Sequence, residues 1–279
     1  PNRKILIMKT IIIATDYSPA ALNAVKYGAD MALAIDARVM LFHAYHIPVS
    51  YGEVPIIMDM EGSRKIAEKE LDKISLTLSS AAGGKLKINT EVRIGEFFRE
   101  LKTLCEEVKP YAVVLGSQGT SSAERFLFGS HATFAMKHLM WPLITVPPNA
   151  SFKAVRKVGL ACDFNEVVAS TPVEEIKLLV NDFHAELRIL HTGKNDEFDP
   201  ELVFESGLLQ EMLGPLKPKY HFITHDNIDE GIMDFADKNN LDLLLVLPKR
   251  HNLPEKIIHK SHTKQLVLHS HVPVMALHQ

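Results

Sequence analysis

The sequence predicts an α/β protein of two tandem domains, each a five-stranded parallel sheet sandwiched between helices. The chain of 279 residues is long for one core and comfortable for two of about 130 to 150 residues each. Short apolar runs alternate with segments of helical periodicity, and parallel strands require such crossover connections. The same order of elements then occurs a second time. We therefore place the domains at residues 8–148 and 156–279.

The first domain opens with a strand and a helix. Thr10 to Ala14 is a continuous run of β-branched residues closed by an alanine, typical of a parallel strand buried on both faces. Ser18 is suited to cap the helix that follows, and Pro19 fits its first turn. A buried stripe at helical spacing is predicted at Leu22, Val25, Ala29 and Ala32.

The alternation continues to the end of the first domain. Further strands are predicted at Arg38 to Phe42, Ile88 to Val92, Ala112 to Leu115 and Leu143 to Val146. Between them lie two apolar helical stripes and a short helix from about Ser130. The stripes are Ala67, Leu71, Ile74 and Leu78, and then Phe97, Leu101, Leu104 and Val108.

The second half repeats the order of the first, and the resemblance extends to individual residues. Asp16 in ATDYS matches Asp163 in ACDFN, and the second strands end at His43 and His191. The offset falls from 147 residues at Asp163 to 131 residues near the last helix. The second copy therefore lacks part of the connection after its second strand, including one or two helical turns, and an internal duplication explains the pattern.

Composition narrows the functional class. A net charge of −3 gives no strong field for nucleic acid, and no apolar run is long enough to span a membrane. Cys105 and Cys162 fall in different halves inside apolar patterns, as expected for a cytoplasmic protein without disulfides. Met8 directly precedes the first strand and is interpreted as a start site, so the predicted fold excludes Pro1 to Ile7.

A glycine-rich loop follows the fourth strand. Gly116-Ser117-Gln118-Gly119 is separated by nine residues from Gly129-Ser130, where a helix opens. Glycine allows a phosphate to approach the backbone, and a helix N-terminus favours an anion. Because ligands in open α/β sheets lie beyond the carboxyl ends of strands, Asp16 is expected at the same edge.

These residues carry a resemblance to a known family. An Asp after the first strand, the G-x2-G-x9-G-S spacing and the apolar final strand resemble the ATP-binding universal stress protein domain, over about residues 9–148 and 156–278. The resemblance implies an adenine-nucleotide α-hydrolase-like fold that binds ATP or AMP, with or without Mg²⁺. It implies base contacts from Ala14, Thr15, Asp16 and Leu41, ribose and phosphate contacts from Gly116 and Gly119, and phosphate contacts from Gly129, Ser130 and His131.

Alternatives exist for each part of this site. The glycines also fit simple turn geometry, and Asp16 also fits a helix cap. In the second copy Leu247, Arg250 and Lys260 stand where the glycines are, and only Ser130 has a counterpart, Ser261. Basic side chains there fit a solvated face better than an anion site. We therefore predict one nucleotide per chain, in the first domain.

Motifs of common enzymes are absent from the sequence. It contains no G-x4-G-K-[ST], no G-x-S-x-G and no H-E-x-x-H, and its C-terminal histidines lack the spacing of a zinc site. The leading hypothesis is a nucleotide-binding stress regulator that acts on an unidentified protein partner. The alternatives are a slow ATP hydrolase or nucleotidyl transferase using Asp16, and a scaffold whose two domains pair through their final strands, with or without a homodimer.

Overall fold

The protein is described by a computed structural model covering residues 8–45, 60–117, 132–193, 200–248 and 262–278. Within these residues ten strands form the framework. They are β1 (Thr10–Ala14), β2 (Arg38–Tyr45), β3 (Ile88–Ile94), β4 (Ala112–Gly116), β5 (Leu143–Val146), β6 (Lys157–Ala161), β7 (Glu186–Gly193), β8 (Lys219–Thr224), β9 (Leu243–Val246) and β10 (Val274–Ala276). All ten lie in one sheet, in the order β3-β2-β1-β4-β5-β10-β9-β6-β7-β8.

Helices cover both faces of this sheet. They are α1 (Pro19–Ala34), α2 (Met60–Ala81), α3 (Phe97–Val108), α4 (described over 132–138), α5 (Val167–Ser170), α6 (Val173–Phe183), α7 (Pro200–Leu213), α8 (Ile228–Lys238) and α9 (His262–His269). One buried apolar cluster includes residues of α1, α2, α6 and α7, and the other includes residues of α3, α4, α8 and α9. The prediction of two tandem α/β units with parallel sheets is confirmed.

The two domains join through their final strands. Strands β1 to β5 are parallel to one another, as are β6 to β10, but β5 and β10 pair antiparallel. Their register sets Ile144 opposite Met275 and Leu143 opposite Ala276, all fully or almost fully buried. The predicted pairing of the final strands inside one chain is therefore observed. Because the pairing is antiparallel, the strands of the two domains run in opposite directions, and their carboxyl ends lie at opposite ends of the shared sheet.

Side chains add further contacts across this seam. Lys9 of the first domain forms an ion pair of 2.5 Å with Asp182 of α6, and its ammonium lies 5.4 Å from the ring centre of Tyr111. His278, after β10, contacts the carbonyl oxygen of Met136 in α4 through Nε2 at 2.8 Å. Both faces of the seam are thus held by contacts beyond the strand ladder.

Helix α1 packs closely on the sheet through small residues. A Cβ placed on Gly28 would lie 2.7 Å from Cδ1 of Ile13, so a side chain there would force that contact apart. The buried face is centred near Ala21, Ala24 and Gly28. Leu22, predicted in the buried stripe, is 41% exposed because it lies at the border of this face.

The shorter connection in the second domain is also observed. Helix α2 has 22 residues, whereas its counterpart α7 has 14, a difference of about two turns. The first helix is divided as well, since α5 and α6 stand in the place of the continuous α1. The second domain thus has the same number of strands as the first, but its counterpart of α2 is shorter and its counterpart of α1 is divided in two.

Candidate functional site

The turn after β1 is a compact set of local hydrogen bonds. The Thr15 N–H donates to the Phe42 carbonyl of β2 at 2.9 Å, and the Tyr17 N–H donates to Oγ1 of Thr15 at 3.0 Å. The backbone of Tyr17 has a φ of 66°, in the left-handed region that residues other than glycine rarely adopt. Its hydroxyl donates to the Ala67 carbonyl of α2 at 2.9 Å. These contacts fix the chain direction between β1 and α1.

Asp16 and Ser18 close the N-terminus of α1. The Ser18 N–H donates to Oδ1 of Asp16 at 3.0 Å, and the Ala21 N–H donates to Oγ of Ser18 at 3.1 Å. Asp16 is half-buried, and its second oxygen accepts no hydrogen bond from the residues described. The capping role predicted for Ser18 is confirmed, and Asp16 supports the same turn. A carboxylate beside an already capped helix start disfavours a phosphate here.

The beginning of the glycine-rich loop lies against this turn. Gly116 ends β4, and a Cβ on it would lie 3.1 Å from the Ala20 carbonyl oxygen in the first turn of α1. The next residue, Ser117, is buried and donates its N–H to the Val146 carbonyl at 2.9 Å. The structure therefore brings Asp16 and Gly116 to the same edge. Gly119, Gly129, Ser130 and His131 lie outside the described residues.

Two other predicted site residues lie deeper in the fold. Ala14 is 4% exposed, and Leu41 is fully buried in the cluster between the sheet and α1 and α2. Leu41 pairs with Ile13 of β1 and Thr90 of β3, inside the strand and short of its carboxyl end. Contacts of these two residues with a base stay predictions.

The structure adds His43 and Tyr17 to the site. The ring of His43 lies 4.5 Å from that of Tyr17, and its Nδ1 bonds the Thr15 carbonyl at 2.8 Å. Since the carbonyl only accepts, Nδ1 carries the proton, and Nε2 of the neutral ring is an acceptor. Burial lowers the pKa of His43, while the Thr15 carbonyl and the Asp16 charge oppose that shift. The sequence signal was available, because His43 ends a repeated segment.

We expect the pKa of His43 to lie below the ordinary value of about 6.5. Because the folded state favours the neutral ring, this residue contributes a loss of stability as the pH falls below about 6.5. In Asp16→Ala the pKa of His43 is expected to fall further, because a favourable charge is removed. An NMR titration of the imidazole carbons measures both values. A His43 pKa above 6.5 in the parent would contradict this account of the site.

The second domain repeats the same turn. The Cys162 N–H donates to the Leu190 carbonyl at 2.9 Å, and His191 Nδ1 contacts the Cys162 carbonyl at 3.1 Å. The Asn165 N–H donates to Oδ1 of Asp163 at 3.2 Å, and Phe164 has φ of 51° with its ring 5.1 Å from His191. Asp163 thus has the same local role as Asp16, as the repeat predicts.

Several C-terminal histidines have ordinary polar partners. His262 Nδ1 contacts Oδ1 of the buried Asp229 at 2.8 Å, and His271 Nδ1 contacts Oδ2 of Asp237 at 3.2 Å. Across the described ranges no group of three or more potential ligands is arranged to hold a metal ion. In the same part of the chain, no helix combines the length and apolar character that a membrane span requires. His251 and His259 lie outside the described residues.

Comparison with known proteins identifies the family. The sequence model of the Universal stress protein family matches residues 8–147 and 155–278. A universal stress protein of Methanocaldococcus jannaschii is 27% identical over 143 residues, which cover 50% of this chain and 81% of that protein.

Solved structures resemble the whole chain. A universal stress protein from Archaeoglobus fulgidus DSM 4304 superposes with a TM-score of 0.71 at 16% identity, covering 97% of this chain and 96% of that one. A protein of unknown function from Pseudomonas aeruginosa PAO1 gives a TM-score of 0.60 at 10% identity, with coverages of 97% and 92%. At these identities the likeness concerns the fold alone. The two family matches cover most of the sequence, and the chain therefore belongs to the universal stress protein family, with two copies of its domain in tandem.

Proposed function

We propose that this protein is a nucleotide-binding regulator of a stress response, with one ATP or AMP at the carboxyl edge of the first domain. The nucleotide changes the affinity of that domain for a protein partner and is not turned over efficiently. The observation that carries the proposal is the convergence of Asp16, His43 and Gly116 at the ends of three adjacent strands. This is the edge at which open α/β sheets bind ligands.

The chemistry of this edge favours one orientation of the ligand. One oxygen of Asp16 and Nε2 of His43 accept no hydrogen bond from the described residues, and a carboxylate oxygen and the unprotonated nitrogen of a neutral imidazole are both acceptors. They suit a ligand end rich in O–H and N–H donors, such as a ribose or an adenine amino group. The phosphates, which carry only acceptors when ionised, belong toward the glycine-rich loop and the helix that it opens, with Mg²⁺ accompanying ATP.

Retained ligand is the direct test of this function. The protein is purified without added nucleotide, the bound small molecules are identified by mass spectrometry, and ATP turnover is then measured. Retained ATP or AMP with negligible hydrolysis supports the regulator. Steady turnover that Asp16→Ala abolishes would instead support the enzyme, and a protein with no nucleotide affinity would support the scaffold.

Glycine variants test the phosphate end. Gly119→Val and Gly129→Val are expected to abolish binding, because a side chain would occupy the space that a phosphate needs at the backbone. Gly207→Val is a suitable control, since a Cβ there meets no atom within 4 Å. Isothermal titration with ATP measures the affinities. Binding that survives both loop variants would contradict the proposed phosphate site.

The cysteines support a reducing compartment. Cys105 is buried and Cys162 half-buried, and the two do not form a disulfide. Burial raises the pKa of the Cys105 thiol to about 12, which keeps it protonated and unreactive at neutral pH. We therefore propose that the protein acts in the cytoplasm.

A further inference from the structure

A cavity of about 220 Å³ lies in the first domain, at the end of the strands opposite the candidate nucleotide site. Its floor is formed by β1, β2 and β3. Thr10 pairs with Arg38 and Met40 pairs with Asn89, so these four side chains share one face of the sheet. The last turn of α3 borders the cavity through Val108. The cavity is therefore a place separate from the candidate nucleotide site.

One cation of this cavity has no charged partner. Arg38 donates from Nε to Oγ1 of Thr10 at 2.6 Å, and no carboxylate of the described residues forms an ion pair with it. Glu107 of α3 also lines the cavity, but its Oε2 pairs with Arg93 at 2.5 Å. With Nε occupied, the two Nη groups of Arg38 still present parallel N–H donors, an arrangement that fits a carboxylate. Among the lining residues, the charge of Arg38 is the one left uncompensated.

The second domain has different residues at the corresponding positions. The strand registers match Thr10, Arg38, Met40 and Asn89 of the first domain with Lys157, Glu186, Arg188 and Lys219 of the second. Val108, at the end of α3, corresponds to Asn239, which directly follows α8. The second copy thus places charged side chains at all four strand positions and an amide at the helix end.

These second-domain residues bond to one another. Glu186 accepts from Nε of Arg188 at 2.6 Å and from Nζ of Lys219 at 2.5 Å. Asn239 accepts from Nη1 of Arg188 through its side chain and from Nζ of Lys157 through its carbonyl, both at 3.0 Å. The same backbone frame is therefore occupied by a bonded network in one copy. In the other copy it contains a cavity with an unpaired guanidinium.

We propose that this cavity of the first domain binds a small aliphatic carboxylate. Its carboxylate lies on the Nη groups of Arg38 and supplies the negative charge that Glu186 supplies in the second domain. Its hydrocarbon end lies against Met40 and Val108, which are half-buried and gain further burial from an apolar ligand. Pockets for drug-sized ligands have volumes of about 300 to 1,000 Å³, so this smaller cavity restricts the ligand to a short acid.

Saturation-transfer NMR with butanoate tests the binding. The parent is expected to bind butanoate with a Kd of about 1 mM or below, and butylammonium at least about tenfold more weakly, because Arg38 repels a cation. Arg38→Gln is expected to weaken butanoate binding at least about tenfold. The matched control is Arg64→Gln, since Arg64 is exposed on α2, which packs on the opposite face of the sheet. A parent that does not bind butanoate at about 10 mM, or an Arg38→Gln variant with the parent's affinity, overturns the proposal.

Methyl NMR of ¹³C-labelled methionine locates the bound acid. Butanoate is expected to shift the methyl signal of Met40 and to leave that of Met233, on α8 of the second domain, unchanged. Met40→Arg copies Arg188 and is expected to abolish saturation transfer to butanoate, because the guanidinium fills the cavity. ATP is expected not to displace butanoate, since the two sites lie at opposite ends of β1 and β2. Displacement by ATP, or a Met233 shift as large as that of Met40, overturns the proposal.

Discussion

The Asp16→Ala variant is expected to bind ATP and AMP at least about tenfold more weakly than the parent, as isothermal titration measures. A charge-assisted hydrogen bond between a half-buried carboxylate and a ligand contributes about 1.5 to 3 kcal/mol. Removing Asp16 also frees the Ser18 N–H and loosens the turn that meets Gly116. Affinity is therefore expected to fall through both the lost contact and the loosened turn.

The duplicated fold supplies a matched control. Asp163 accepts the Asn165 N–H as Asp16 accepts the Ser18 N–H, so Asp163→Ala removes the same kind of local bond from the other domain. Both variants are expected to lose about 1 kcal/mol of stability, which chemical denaturation measures. Only Asp16→Ala is expected to lose nucleotide affinity. Equal losses of affinity in the two variants would contradict the assignment of one nucleotide to the first domain.

The parent chain is expected to unfold in a single cooperative transition, and Ile144→Asp is expected to destabilise both domains together. Each of the two apolar clusters contains residues from both halves, and Ile144 is fully buried opposite Met275. An unpaired carboxylate at this position costs about 4 kcal/mol or more, a large part of the stability of an ordinary domain. Differential scanning calorimetry measures the number of transitions and the shift in Tm.

The same substitution on the surface is the control. Ile66 of α2 is 67% exposed, and Ile66→Asp is expected to change stability by less than about 0.5 kcal/mol. Two resolved transitions in the parent, or a first domain whose transition is unmoved in Ile144→Asp, would show that the β5 and β10 seam does not couple the domains.

Much of the fold could be predicted from local patterns. The buried strand Thr10–Ala14 is recognisable because five successive β-branched or small apolar residues suit a strand covered on both faces. The helix after it is recognisable because Ser18 and Pro19 carry capping chemistry that acts within a few residues. The exposure of Leu22 was not predictable in the same way. A period of 3.6 residues defines a stripe, but which side of it meets the sheet depends on how closely Gly28 allows α1 to approach.

The candidate site, too, could be predicted from the sequence only in part. Asp16 and the glycines stand out in the sequence because their residue types carry phosphate and ribose chemistry at a strand end. His43 recurs in the second copy as His191, but its role was not predictable, because that role depends on a bond to the Thr15 carbonyl and on the ring of Tyr17. Those contacts exist only after two strands pair.

The sequence by itself determined that this protein has two α/β copies, that only the first has the glycine-rich loop, and where each strand of the first domain begins. Hydrophobic periodicity and glycine chemistry are local properties, so a single chain displays them without folding. The tertiary structure alone decided that the copies share one sheet, that the carboxyl ends of their strands point in opposite directions, and that β3 and β8 are the outer strands of the sheet among the described residues. These features arise from pairing between residues more than a hundred positions apart, and from helices whose packing no local pattern specifies.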